Sequence, residues 1–214
     1  MTWKKQDYRL DTQPIPSEKK FIEFIKSIKD QKEQFLILIV YLLAGRITEI
    51  IGRKKLIKYD YTCNIYREYP AIKPLTKERF SIIDKKTIEK DGKIKKRKVL
   101  LVNIYNEKSK VKTKRFKDIP IPLDTYGVLV SLILKYVETK DEREPLIPYS
   151  YMKVWRILDK YNLNPHLLRH YRLTHLVVHH GYGEYKLQQY AGWTDTRPAK
   201  HYVSMNWSNL LEGL

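Results

Sequence analysis

His166 and Arg169 stand three residues apart in the run PHLLRHYRLTH, a spacing that puts both side chains on one face of a helix about one turn apart. After a break at Gly181 and a short Tyr/Leu-rich segment comes Trp193, and nine residues later Tyr202, beside the cations Arg197, Lys200 and His201. Far upstream, Arg46 follows a long apolar run, with Glu49 about one turn beyond it. A cationic pocket with a phenol at its edge is what attack on a phosphodiester requires. The non-bridging oxygens need fixed donors as charge builds on them, the nucleophile needs an approach line, and the leaving oxygen needs a proton.

Each of these residues has a plainer reading when taken singly. Arg46 and Glu49 fit a solvated helix end with an i,i+3 ion pair, and they equally fit an anion-binding arginine held on a rigid base by a carboxylate. A helical histidine is more often a hydrogen-bonded structural residue than a catalyst. The pairs His166/His170 and His175/His179 have the i,i+4 spacing of zinc ligands, but neither carries the glutamate of the HExxH order and no cysteine is near. Phosphate-cradling glycine loops, dinucleotide turns and paired carboxylates are missing from the sequence. The expectation is therefore chemistry without metal or cofactor.

The chain has 214 residues, enough to bury a real core, and carries a formal net charge of +18 with an isoelectric point near 9.7. The expected partner is a polyanion, nucleic acid above all. The rival, an anionic membrane surface, finds no apolar run long enough to span a bilayer, since the longest, Phe35 to Ala44, has the length of a buried helix. No RNP-type or KH-type signal favours a general RNA binder. Cys63 stands alone, so internal disulfides and cysteine-based zinc sites are excluded. No secretory leader opens the sequence, and a cytoplasmic location is expected.

The elements that must position the candidate residues can be read in order. Residues 1–16 form an irregular lead-in, and Ser17 caps a helix with an apolar stripe at Phe21, Ile22, Phe24, Ile25 and Ile28. The segment from Gln31 is apolar nearly all round and predicts the central buried helix. Residues 53 to 79, rich in Lys and Tyr, lack clean periodicity and read as an extended basic surface segment. Strands follow: FSIID, a turn at Asp91-Gly92, RKVLLVNIY, then RFKDIPIP, the last two joined by a tip bearing Lys108, Lys110, Lys112 and Lys114. A helix starts at Asp124 or Thr125, another after Ser150, and a third after Asn164 with Pro165 at its start, running to His180. A short helix over 184–191 and a last one carrying Tyr202 complete the chain. The fold class expected is α+β, mainly α-helical, with a small antiparallel sheet.

Order and spacing together are more specific than any one residue. Arg46-Ile47-Thr48-Glu49-Ile50, lysines before Ile119-Pro120-Ile121, Pro165-His166-Leu167-Leu168-Arg169-His170, Ala191-Gly192-Trp193 and Tyr202 resemble the motifs of the tyrosine recombinases, the phage-integrase type. The resemblance covers roughly residues 17 to 205. It implies a catalytic domain over 17–214 with a basic insertion at roughly 52–96, lacking the N-terminal core-binding domain usual in that family. It implies that Arg46 and Arg169 clamp the scissile phosphate, with Glu49 in support, and that His166 assists proton transfer. Tyr202 would attack to give a 3′-phosphotyrosyl link, and a hairpin lysine would protonate the leaving 5′-oxygen. Lys110 is favoured for that role by the Glu107-Lys108-Ser109-Lys110 pattern, while Lys112 has the commoner spacing to the proline and Lys108 fits a longer hairpin. Trp193 stands where most members have histidine; its indole N–H can donate to phosphate but cannot shuttle a proton. The implied partner is double-stranded DNA, bound by a tetramer on two duplexes, with the chain free in solution expected to be a monomer. The implied work is integration or site-specific recombination, as by an archaeal virus or plasmid integrase. The alternatives are a type IB topoisomerase-like relaxing enzyme and a non-catalytic DNA-binding accessory protein on the same fold.

Overall fold

The computed structural model describes residues 15–88, 94–107 and 115–203, with the side chains of 87 and 88 set aside. The fold is α+β and mainly α-helical, with two small antiparallel sheets where a single one is expected from the sequence. Helix α1 (Glu18–Ser27) is capped by Ser17, whose side chain accepts from Lys20 N, and it buries Phe21 and Ile25. Helix α2 (Gln31–Leu43) is capped by Asp30. Every side chain of α2 from Phe35 to Leu43 is buried, which is why the segment shows no polar face. Each such aliphatic side chain contributes about 2 kcal/mol by leaving water. The helix ends on Ala44 in the left-handed region (φ 42°), and α3 (Ile47–Ile51) starts again directly after Arg46.

Strands β1 (Leu56–Asp60) and β2 (Ile65–Tyr69) form an antiparallel ribbon within the segment read as irregular from sequence. Nearly all its side chains are exposed, so no buried alternation marks it. The second sheet has the order β3 (Phe80–Ile88), β4 (Ile94–Tyr105), β5 (Phe116–Pro122). The turn expected at Asp91-Gly92 and the lysine-rich tip lie outside the described residues. Helix α4 (Leu123–Glu138) follows Pro122 directly, a residue or two earlier than its sequence signal, and is kinked in its first turn at Tyr126 (φ −121°). Helix α5 (Tyr151–Asp159) is capped by Ser150. Helix α6 (Pro165–Val178) is capped by Asn164 and stops two residues short of His180. Helix α7 spans Glu184–Ala191, and residues 197–203 are helical again. Helix α2 is the hub, packed against α1, α4 and α6. Among the described residues no helix is long and apolar enough to cross a membrane.

One buried polar network ties these helices together. Arg172 of α6 is 1% exposed and donates through Nη1 to Glu18 Oε1 (3.1 Å) and to the Tyr126 hydroxyl (2.7 Å), and through Nε to the Tyr190 hydroxyl (3.2 Å). Tyr190 in turn donates to the carbonyl of Leu42. His175 contacts Tyr41 Oη through Nδ1 (2.8 Å) and the Pro16 carbonyl through Nε2 (2.8 Å). Since a carbonyl only accepts, Nε2 carries the proton and Nδ1 accepts from Tyr41.

Acid should loosen this network in two stages. Burial holds His175 down at about 4 from an ordinary 6.5, so the unfolded chain takes up its proton first and stability is lost as pH falls from 6.5 towards 4. Burial pushes Glu18 up, but hydrogen bonds with His180 and Tyr126 and the charge of Arg172 outweigh it and hold the carboxyl at about 2 against an ordinary 4.5. Its contribution is present above 4.5 and is lost as pH falls towards 2. Each amounts to about 3 kcal/mol. Melting temperatures followed from neutral pH downwards should fall through both windows, and His175→Gln should shrink the fall in the upper one, leaving the smaller part that the lowered pKa of His166 contributes. A melting temperature constant from pH 6.5 to 4 would contradict the assignment of His175.

Candidate active site

The left-handed turn at Ala44 does two things. It frees Arg46 to cap α3, and it exposes the Ala44 carbonyl to a donor from another part of the chain. That donor is Arg169, on the second turn of α6. Its other terminal nitrogen donates to the Ala191 carbonyl at the end of α7 (2.9 Å), and its guanidinium lies 5.6 Å from the centroid of the Trp193 ring. Arg169 is therefore locked between the end of α2 and the end of α7. Burial, then the charge of Arg46, lowers its pKa to about 10. The charge of Arg46, from a distant part of the chain, is thus felt at Arg169.

Glu49, 1% exposed, organises the other side. Its Oε2 accepts from the Arg46 backbone N–H (2.9 Å) and its Oε1 from Arg46 Nη1 (2.9 Å) and from the Glu107 N–H (3.0 Å). Glu107 accepts from Thr48 Oγ1 (2.7 Å) and from Arg53, extending the network outwards. The Arg46 side chain remains 21% exposed while its carboxylate partner is wholly buried, so the guanidinium is at the surface of the site and its anchor beneath it.

A residue the sequence reading left out sits under both arginines. Lys117 of β5, 8% exposed at its side chain, has its Nζ 3.8 Å from Glu49 Oε2 and donates to the Tyr190 carbonyl (3.2 Å). Burial brings its pKa down to about 8, Glu49 raises it, and Arg169 and Arg46 lower it further. A signal for it was present: Lys117 alternates with Ile119 and Ile121, both buried, and so falls on the inward face of its strand. Gly192 is required beside it. Its φ is +70°, and a Cβ there would come 3.0 Å from Asn106 Oδ1 and 3.1 Å from Lys117 Cδ.

His166, in the first turn of α6, is exposed; desolvation of its inner side, then the charges of Arg169 and Arg46, keep its pKa below the usual value, so the ring is neutral at pH 7. Tyr202 lies in the helical stretch 197–203, its ring stacked on Trp193 (centroids 5.9 Å apart, 27° between planes) and tilted against His170 (5.4 Å). Burial raises the Tyr202 pKa, and Arg169 opposes that rise. Arg46, Glu49, His166, Arg169, Trp193 and Tyr202 are thus brought to one place. Lys110, like Lys108 and Lys112, lies outside the described residues. Arg172 and Tyr190 are further additions: Tyr190 immediately precedes the Ala191-Gly192-Trp193 turn, and Arg172 fixes its hydroxyl. Among the described residues no group of three His, Cys, Asp or Glu side chains could hold a metal ion.

No protein-family model matches the chain, and no curated protein matches it in sequence. Among solved structures it is similar to the Tn1549 transposon integrase in complex with a circular intermediate DNA, at 19% identity and a TM-score of 0.47, over 95% of this chain and 67% of that one. It is similar also to the same integrase in complex with transposon right end DNA, at 19% identity and a TM-score of 0.46, over 95% and 67% of the two chains.

Proposed function

We propose that the chain cleaves and rejoins DNA strands as a tyrosine recombinase, of the integrase kind. The observation that carries this reading is the bond from Arg169 to the carbonyl of Ala44, two residues before Arg46, with Tyr202 near enough to Arg169 to feel its charge. Arg46 and Arg169 hold the two non-bridging oxygens of one phosphate and meet the charge that grows on them. The Tyr202 oxygen attacks phosphorus in line with the 5′-oxygen. A P–O bond to the phenol forms, the P–O5′ bond breaks, and the 3′ end stays on the protein. Tyr202 is a neutral phenol at pH 7, so its proton must go to a base. In this reading His166, whose pKa burial and the charges of Arg169 and Arg46 lower, accepts that proton or bonds the phosphate. The leaving 5′-oxygen takes a proton from a lysine of the β4–β5 hairpin, Lys110 by its local pattern. Rejoining is the reverse attack by a 5′-hydroxyl, and because the phosphotyrosine conserves the bond energy, no nucleotide is needed. Recombination requires two duplexes and therefore several copies of the chain on DNA.

The test is covalent capture. Wild-type protein and Tyr202→Phe are incubated with nicked duplexes of randomised sequence, whose cleaved fragment diffuses away and traps the intermediate. A denaturation-resistant adduct is expected with wild type only. An adduct surviving in Tyr202→Phe would move the nucleophile elsewhere. Tight DNA binding with no adduct from either would leave a DNA-binding accessory protein.

A further inference from the structure

Beside the candidate site lies a groove of about 650 Å³ that the chemistry above does not use. One wall is the end of α3, the second is one face of the β1–β2 ribbon, and the third is the start of α5. Arg53, Lys58, Tyr69, Tyr149, Ser150 and Tyr151 are among its lining residues, and no acidic residue lines it. The register explains the ribbon's contribution. Leu56 pairs with Tyr69 and Lys58 with Arg67, so these four share one face, and that face turns to the groove. Lys58 is exposed and makes no ion pair among the described residues, whereas Arg67 is held by Asp60 (2.6 Å).

We infer that this groove receives the sugar–phosphate backbone of the duplex flanking the cleaved phosphate, with the β1–β2 ribbon as a clamp. This rests on the proposed function for its orientation along DNA. Three observations carry it. The lining sets Lys58, Arg53, hydroxyl groups and aromatic edges beside the apolar Ile51 and Leu56 and holds no carboxylate, so phosphate donors lie next to apolar surface that a sugar can cover. The groove is continuous with the site, since Thr48 lines it from the helix that Arg46 caps. Arg53 on its wall is bonded to Glu107, whose N–H bonds Glu49. The third wall is the N-terminal end of α5, whose dipole favours an anion. The insertion that has no role in the strand-transfer chemistry thereby acquires one in holding DNA.

The test separates binding from cleavage by working in the Tyr202→Phe background. Binding of a short duplex is titrated by fluorescence anisotropy at several salt concentrations for this parent and for parent plus Lys58→Gln or Tyr151→Ala. Both side chains are exposed, and a melting curve checks that the fold is kept. Lys58→Gln is expected to reduce the slope of log K against log salt by about 0.9 and to weaken binding about five- to tenfold near 0.1 M salt. Tyr151→Ala should weaken binding with little change in slope, and both variants should shorten the hydroxyl-radical footprint at one end. Unchanged slope and footprint would overturn the inference, as would a parent that binds no duplex. A changed oligomeric state with DNA binding unchanged would make the groove a contact between copies and overturn it too. The covalent adduct of wild-type protein is a separate readout, so loss of this inference and loss of the catalytic reading are distinguishable.

Discussion

Glu49→Ala is expected to lower the free energy of unfolding by about 3–5 kcal/mol, because it leaves buried cations without their counter-charge. In a chain of this size that corresponds to a melting temperature about 10 °C lower. The carboxylate accepts from two nitrogens of Arg46 and from Glu107 N–H, and it is the only acid within 4 Å of Lys117 Nζ among the described residues. Without it Lys117, Arg46 and Arg169 face one another at short range. The same substitution frees Arg46 from its anchor, so adduct formation should fall by about 10²-fold or more, the scale for loss of a transition-state donor. A cycle separates the charge from the shape. Lys117→Met removes one of the three cations, the one whose Nζ is 3.8 Å from Glu49 Oε2, so Glu49→Ala/Lys117→Met should be less destabilised than the two single losses added together. Additive losses, or a Glu49→Ala protein melting within a degree or two of wild type, would mean that Glu49 does not neutralise this cluster.

How much of this could be read from residues alone depends on what kind of contact does the work. Helices α2, α5 and α7 were legible because each combines an apolar pattern with a cap or a glycine stop. The β1–β2 ribbon was not, because a ribbon exposed on both faces has no reason to alternate. Arg46, Glu49, His166, Arg169, Trp193 and Tyr202 were legible as types at spacings. What joins them was not: Arg169 is held by the carbonyls of Ala44 and Ala191, and a backbone carbonyl leaves no mark in residue identity. Lys117 shows the reverse case. Its inward place in the alternation of β5 is visible in the sequence, but four lysines in the preceding tip offer the same side chain close by, and residue type alone does not choose among them.

Arg172→Leu should be the most destabilising change away from the site, again by about 3–5 kcal/mol, and for a related reason. Three tyrosine rings surround the guanidinium, with centroids 4.8 Å (Tyr126), 5.5 Å (Tyr41) and 5.6 Å (Tyr190) from Cζ, and Glu18 supplies the charge. Leucine fills part of the volume but leaves the Glu18 carboxylate without its arginine, with the Tyr126 hydroxyl and His180 Nε2 as hydrogen-bond partners. It also leaves the Tyr190 hydroxyl without its donor, although that hydroxyl can still donate to Leu42. A buried pair is worth less than the cost of breaking it, so removing both partners should be gentler than removing one. Glu18→Leu/Arg172→Leu is therefore expected to melt above Arg172→Leu alone. The functional consequence runs through Tyr190, whose carbonyl accepts from Lys117 and whose successors are Ala191, Gly192 and Trp193. If the network positions that turn, the double variant will recover stability without recovering the rate of adduct formation, because the Tyr190 hydroxyl still lacks Arg172. Recovery of both together would reduce Arg172 to a packing residue.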